Sequence, residues 1–488
     1  MSAAPGPDRW SRRLRRLAEA RLAVLAEALE LPADGDLFTT VTGRLDTAGN
    51  AEYWLALAVL LARMPTQDEV IEARRVGALY GSATVVDTAI RRPFSEPFSG
   101  HRRRVVSVVS RATIVDVDHT SRVAFATGIQ RVTRETTARW VRDRDALIVG
   151  WTADRSAFRL LSPGELHQAL TGAIDPSVRR LRWRERTIIV PWDSTYLLPE
   201  LNVEERSIGR LASLARFSRN STAAITFDAI PITTSETVDT GMAAKFSSYL
   251  AALKWFDRGV VISAAAAGEY AGWKRMLTGT GIPGPAVSAV LLPAVAPDVI
   301  EPGAADSLVL PSLPLVLCVG SHEPRKNHLA VLHAAELLWR EGLEFQLVFV
   351  GGNAWGSESF ESRVGALAAA GRPVRSAQAV SDVVLRDLYQ RAAFSVFPSV
   401  NEGFGLPVAE SLSVGTPVVT SGFGSMAEIA AGGGALLVDP RNDHDLARGL
   451  RTLLTDDTVL SRLRAEARAR PARDWDAYAA EAWAALTD

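Results

Sequence analysis

Two α/β domains in tandem, each a mostly parallel sheet covered by helices, behind a helical N-terminal segment: three observations predict this architecture. From Val105 short β-rich runs alternate with helical ones, through RATIVDVDHT, GIQRVTRETTARWV, ALIVGW, TIIVPW, AAITFDAIPI and GVVISAAAA, the alternation expected of a parallel sheet with crossover helices. A second series of the same kind runs through PLVLCVG, FQLVFVGG, FSVFPS, PVVTS and ALLVD. Between them, APDVIEPGAADS (Ala296 to Ser307) carries the proline and glycine of an interdomain linker. Two such domains enclose a cleft, and open parallel sheets bind ligands beyond the carboxyl ends of their strands.

In chain order, the segment from about Arg9 to Arg92 reads as helices. Trp10, Leu14, Leu17, Leu22, Leu25 and Leu29 fall near helical spacing, AEYWLALAVLLARM repeats the pattern, and Pro65-Thr66 opens PTQDEVIEARRVGALY. The segment carries no catalytic constellation and is expected to form a small core of its own. Its first helix holds Arg9, Arg12, Arg13, Arg15, Arg16 and Arg21, which fits either a peripheral contact with an anionic membrane or a solvated face on a small helical domain. In the second α/β series, helices are expected to start near Asn327, Glu358, Asp382, Leu406, Met426 and Asp443.

Composition narrows the function classes. A chain of 488 residues with 47% hydrophobic and 22% charged residues is ordinary for a folded protein of two or three domains. Its formal net charge of −1 lacks the basic excess of a phosphate-backbone binder, so no nucleic acid is expected as partner. The single cysteine, Cys318, sits in the apolar run PLVLCVG, where a buried core residue and a reducing compartment are expected and no intrachain disulfide can form. No apolar run reaches the roughly 18 residues of a spanning helix, and the N-terminus lacks the apolar core of a signal peptide; a cytoplasmic location is expected.

The chemistry concentrates in NEGFGLPVAE, Asn401 to Glu410. Apolar VFPS precedes it and SLSVGTPVVTS follows, so it lies on a strand, loop, helix, strand segment. Gly403 and Gly405 let backbone approach a ligand closely, and the amides opening the next helix favour an anion such as a diphosphate. Glu402 suits sugar hydroxyls, and Glu410, about two helical turns on, suits those of a ribose. A nucleotide-sugar has both parts.

This block resembles the E-x7-E signature of family 4 glycosyltransferases, retaining enzymes of the GT-B fold, in which two Rossmann-like domains face a cleft. The resemblance runs from about Val105 to the C-terminus and is most specific between Cys318 and Asp439. It implies an acceptor-side domain at 105–300 and a nucleotide-sugar-binding domain at 301–470, to which the helical N-terminal domain read from its periodicity, 1–104, is appended. It also implies a final helix at 471–488, ARDWDAYAAEAWAAL, that crosses back to the first lobe.

The same resemblance assigns roles elsewhere. SHEPRKNH, Ser321 to His328, follows a strand and precedes a helix; Arg325 and Lys326 resemble the family's pair that neutralises the donor diphosphate. A guanidinium grips phosphate bidentately and an ammonium acts as a point charge. Fixed cations stabilise the charge that builds on the leaving diphosphate, which needs no metal and no other cofactor. Gly128 in ATGIQRV matches a glycine that approaches the phosphates from the opposite lobe. Catalytic roles fall to Arg325, Lys326, Glu402 and Asp228, and donor contacts to Gly128, Ser321, Val380, Phe404, Gly405, Leu406 and Glu410. Val380 and Asp382 match the segment beside the base, where Asp382 or Ser381 is equally a helix N-cap.

One departure is clear: TFDAIPI carries Phe227 where many relatives have a histidine ahead of the aspartate. Asp228 itself or His119 is left to compensate. Asp116 and Asp118 in DVDHT mimic a metal-binding DxD, but cap or turn roles fit their position better. Asn353 in FVGGNAWG borders the cleft side. Transfer of a hexose from a nucleotide-sugar to a carbohydrate, lipid-linked or small-molecule acceptor is the expected activity. The alternatives are a non-catalytic scaffold, an epimerase or a phosphorylase, the last lacking any pyridoxal signal at Lys245, Lys254 or Lys274.

Overall fold

A computed structural model describes residues 6–7, 10–32, 35–96, 100–123, 128–173, 186–293, 295–296 and 301–488. Arg9 and residues 297–300 of the expected linker lie outside the described residues.

Five helices come first: α1 (Arg12–Ala28), α2 (Leu37–Asp46), α3 (Asn50–Leu61), α4 (Gln67–Tyr80) and α5 (Ser82–Ser95). Their starts are capped: Ser11 Oγ accepts from Leu14 N at the head of α1, and Thr66 and Glu69 form a reciprocal capping box on α4. The α3 residues Tyr53 to Leu61 are all buried, marking a central helix rather than a surface one. This corrects the expectation of a separate small core. One continuous apolar cluster joins Trp54, Leu57 and Ile90 to Val106, Trp151, Ile188 and Leu211 of the first α/β domain. Arg21, expected on the basic face, is buried and donates to the carbonyls of Leu60 and His101.

The first sheet contains β1 (Val105–Ser110), β2 (Thr113–Asp116), β3 (Ala146–Trp151), β4 (Phe158–Leu160), β5 (Thr187–Trp192), β6 (Thr195–Leu198), β7 (Ser221–Thr226), β8 (Arg258–Val261) and β9 (Ala286–Ala289). Their order is β1-β5-β4-β3-β2-β6-β7-β8-β9, parallel except where β4 runs antiparallel to β3 and β5. VVSVVS thus precedes the run read as the first strand, which is β2. The strands β4, β6 and β9, three or four residues each, escaped the sequence reading. Helices α6 (Gly128–Asp143), α7 (Pro163–Thr171), α8 (Glu205–Phe217), α9 (Ile230–Thr233), α10 (Met242–Leu253) and α11 (Ala264–Gly279) connect them.

The second sheet is wholly parallel: β10 (Leu315–Val319), β11 (Gln346–Val350), β12 (Val374–Ala377), β13 (Phe394–Phe397), β14 (Val418–Ser421) and β15 (Ala435–Val438), in the order β12-β11-β10-β13-β14-β15. Burial on both faces explains why Leu315–Cys318 and Gln346–Val350 read as near-continuous apolar runs. Its helices are α12 (His328–Arg340), α13 (Glu358–Ala369), α14 (Asp382–Arg391), α15 (Leu406–Ser413), α16 (Gly424–Ala430), α17 (Asp443–Thr455) and α18 (Asp457–Arg468). The last helix, α19 (Trp475–Thr487), leaves this lobe and packs on α6, β7 and β8. There the Trp140 indole donates to Ala479 O at 2.9 Å, and Arg139 pairs with Asp476 at 2.5 Å.

Strand order reverses between β2 and β6 in the first sheet and between β10 and β13 in the second. Loops diverge at such switch points and leave a crevice at the carboxyl ends of the strands.

Candidate active site

The loops after β10 and β13 flank the second switch point and carry the charged residues. Arg325 and Lys326 sit in a single turn, Pro324–Lys326. Asn327 closes it with a left-handed backbone (φ 60) and ties it down by donating to Pro398 O (3.3 Å) and Pro440 O (2.7 Å). From the neighbouring loop Glu402 reaches both cations, with Oε2 2.7 Å from Arg325 Nη1 and Oε1 2.5 Å from Lys326 Nζ, while Ser399 Oγ donates to Oε1 at 2.7 Å. Arg325 also meets Glu323 at 2.6 Å and donates to Asn401 O at 2.8 Å.

Burial works to raise the Glu402 pKa, but Arg325 and Lys326 outweigh it and bring it down to about 2. The Lys326 pKa is lowered too, but there burial is the cause and prevails over the attraction of Glu402. The expected basic pair is therefore not a solvated one, since the side chains of Arg325 and Lys326 are only 14% and 11% exposed. Donor capacity remains, because the guanidinium has five N–H groups and the ammonium three.

Gly405 caps α15 with φ 109, a conformation that glycine tolerates. Gly403 is required for another reason: a Cβ there would lie 2.5 Å from Asp228 Oδ2 of the first lobe. Asp228 follows β7, accepts from Ile230 N at 3.2 Å, and has its pKa raised to about 6 by burial, with Arg325 opposing. So the structure brings Asp228, Arg325, Lys326 and Glu402 together across the cleft. Phe227 is 6% exposed and belongs to an apolar cluster that runs from the first lobe into the second, where it includes Phe404, Val408 and Met426.

On α15, Glu410 is buried, with one protein partner on each carboxylate oxygen. Its Oε2 accepts from Tyr389 OH at 2.9 Å and its Oε1 pairs with Arg131, which comes from α6 of the first lobe. Burial raises the Glu410 pKa, with Arg131 and Tyr389 opposing. Gly128 opens the same helix α6, and a Cβ on it would stand 3.4 Å from Leu406. Two further contacts bridge the lobes: Ser263 Oγ donates to Gly403 O at 2.6 Å, and the Glu428 carboxylate accepts from Ala264 N (3.0 Å) and Ala265 N (3.1 Å) at the head of α11. Sequence reasoning missed Arg131, Tyr389, Ser263 and Glu428. Only Arg131 had a signal, as the arginine of GIQRV beside Gly128.

Other candidates lie outside this group. Asp116 is buried and accepts from the Trp151 indole (2.8 Å), Tyr196 OH (2.8 Å) and Asp118 N (3.2 Å), while Asp118 takes Trp151 N (2.7 Å), Arg122 and Arg155. They brace the β2 loop rather than cap a helix. Glu200 holds the same loop by accepting from His119 N (2.7 Å) and Thr120 N (2.9 Å), and the His119 residue is exposed. Burial raises the pKa of both Asp116 and Glu200. Asn353 meets His322 at 2.9 Å and pairs with Glu361. Ser381 caps α14, and Val380 beside it follows Ala379, whose φ of 52 is left-handed. Ser321 is half-buried on the loop after β10.

Two Rossmann-like lobes with a charged cluster at the switch point of the second define a GT-B fold. Solved structures agree at the level of fold: sucrose-phosphate synthase from Thermosynechococcus elongatus aligns with a TM-score of 0.51 and 16% identity, over 77% of this chain and 98% of that one. Alr3699/HepE from Anabaena, in complex with UDP and glucose, aligns at 0.53 and 13%, over 77% of this chain and all of that one (100%). Residues 306–470 match the family model for glycosyl transferases group 1. Among curated proteins, the serotype-specific mannosyltransferase WbdA of Escherichia coli is 28% identical over 341 residues, 66% of this chain. The match spans only 39% of that relative's own length.

Proposed function

We propose that the chain is a retaining glycosyltransferase of the family 4 type, taking a hexose from a nucleotide-sugar to a carbohydrate or lipid-linked acceptor. The observation that carries this reading is the cross-lobe cluster at the switch point: Glu402 held by Arg325 and Lys326, facing Asp228 of the opposite lobe. The matched family model covers these donor-side residues, and the WbdA likeness favours a mannosyl donor and a role in building a glycan.

In this mechanism the diphosphate lies along the remaining N–H groups of Arg325 and Lys326 and the α15 amides, which stabilise the charge that grows as the glycosidic bond breaks, without a metal. Glu402 aligns the sugar hydroxyls, and Glu410 takes the ribose. The acceptor attacks from the face the leaving group departs and gives its proton to the diphosphate oxygen. Cleft closure keeps water out.

Incubating the full chain with a panel of nucleotide-sugars and glycan acceptors tests this. Acceptor-dependent release of nucleoside diphosphate is expected, with mannosyl donors preferred. A second reading, a binding scaffold without catalysis, is favoured by Phe227 at the place of the usual histidine. It would be supported by donor binding without turnover, whereas conversion of the donor to an isomer would indicate an epimerase.

A further inference from the structure

The Arg131–Glu410 pair joins residues 279 positions apart in the chain and belongs to neither lobe alone. Arg131 stands one helical turn past Gly128 on α6, while Glu410 stands on α15 next to Leu406, the residue Gly128 faces. The same guanidinium donates through Nη2 to Val295 O at 3.2 Å, on the connection between the lobes. One side chain therefore ties together the first lobe, the connection and the second glutamate of the E-x7-E block.

Glu410 is 4% exposed. An ionised carboxylate at that depth needs compensation, and a single hydrogen bond from Tyr389 is weak compensation for a full charge. Arg131 supplies the countercharge, and it does so only when the lobes meet. Each carboxylate oxygen uses one acceptor site on the protein, Oε1 for Arg131 and Oε2 for Tyr389, which leaves a lone pair on each for ribose hydroxyls.

We propose that Arg131 is a positioning residue for the donor: acting through Glu410 from the opposite lobe, it keeps that carboxylate charged and aimed, so that nucleotide seating and lobe closure are coupled. This rests on the reading of Glu410 as the ribose acceptor. The nucleotide thereby gains affinity from a lobe it touches little, and an open protein binds it less well.

The test is a double-mutant cycle on the full chain, Arg131→Gln, Glu410→Gln and both, with UDP and GDP affinities read by calorimetry and donor KM and kcat by turnover. Each single change is expected to weaken the bound diphosphate about tenfold, a coupling of ordinary allosteric size. The double variant should be less than about twofold worse than either single one, because both remove the same interaction. Donor KM should rise more than kcat falls, a split that general destabilisation would not produce.

Additive losses would overturn the proposal, since Arg131 would then touch the nucleotide itself. A loss with Glu410→Gln but none with Arg131→Gln would overturn it and leave the ribose reading standing. No loss with either would remove the ribose reading and the proposal together. If Arg131→Gln does not fold, the double variant, which buries no unpaired carboxylate, is compared with Glu410→Gln alone: equal diphosphate affinity supports a role exerted through Glu410, and a further loss in the double variant overturns it.

Discussion

At the residue scale, the charges in the cleft are interdependent. Arg325 and Lys326 neutralise a glutamate that is itself buried, so removing both leaves Glu402 as an uncompensated charge. Changing both to alanine should therefore lower the melting temperature as well as turnover, the latter by about a hundredfold or more. Adding Glu402→Gln should recover the melting temperature and leave turnover low. Comparing the double and triple variants by calorimetric melting and initial rates separates charge compensation from catalysis; a triple variant no more stable than the double would refute the first.

Glu402 also sets an acid limit. Its folded pKa lies at about 2, below the ordinary 4.5, so the unfolded chain holds the extra proton in that window and stability rises with pH across it. The stabilisation is complete above about 4.5 and lost as pH falls toward about 2. Glu402→Gln should flatten that part of the stability curve, measured by urea unfolding at stepped pH. Asp116 and Glu200, with raised values, act in the opposite direction and lose their contribution as pH rises, so the difference between wild type and variant isolates Glu402.

Among the elements, the helices α1–α5 matter most for integrity. Trp54 on α3 is fully buried in a cluster that continues into β5 and α8, and Arg104, just ahead of β1, and Arg210, on α8, donate to Ala62 O and Met64 O beyond the end of α3. Truncation to Arg92 should give an insoluble or molten chain rather than a working two-lobed core, read by expression, dye binding and near-UV circular dichroism. Trp54→Ala should cost about 3–5 kcal/mol in the intact chain, measured by denaturant unfolding. A soluble truncated protein that binds donor would show that the shared core is dispensable.

For the whole molecule, contact with a membrane is limited by what α1 has left to offer. Leu14, Ala18, Leu22 and Leu25 are committed to the core, while Arg12, Arg13, Arg15 and Arg16 are exposed. No helix among the described residues is long and apolar enough to cross a membrane. Any peripheral association through α1 is then electrostatic rather than insertional. Sedimentation with phosphatidylserine vesicles should show binding at low salt that disappears by about 0.3 M, as screening shortens the reach of each arginine. Binding that survives high salt would require an apolar anchor elsewhere.

The long parallel strands, the capped helices and the E-x7-E block were legible because each depends on neighbours in sequence: a run of apolar residues buried on both faces, a capping side chain three residues from its amide, two glutamates on one loop and helix. Arg325 and Lys326 could be picked out by their resemblance to a known basic pair on a loop just past a strand, and Glu402 by its place in the block. That those three form one buried ionic cluster, that Gly403 makes room for Asp228 rather than for a ligand alone, and that Arg131 reaches Glu410 were decided by the tertiary structure. Each joins segments that are distant in the chain or come from opposite lobes, and no local period or propensity encodes such a meeting. The helical segment shows the same limit: its amphipathic pattern specifies a buried face, while only the packed fold decides what that face is buried against.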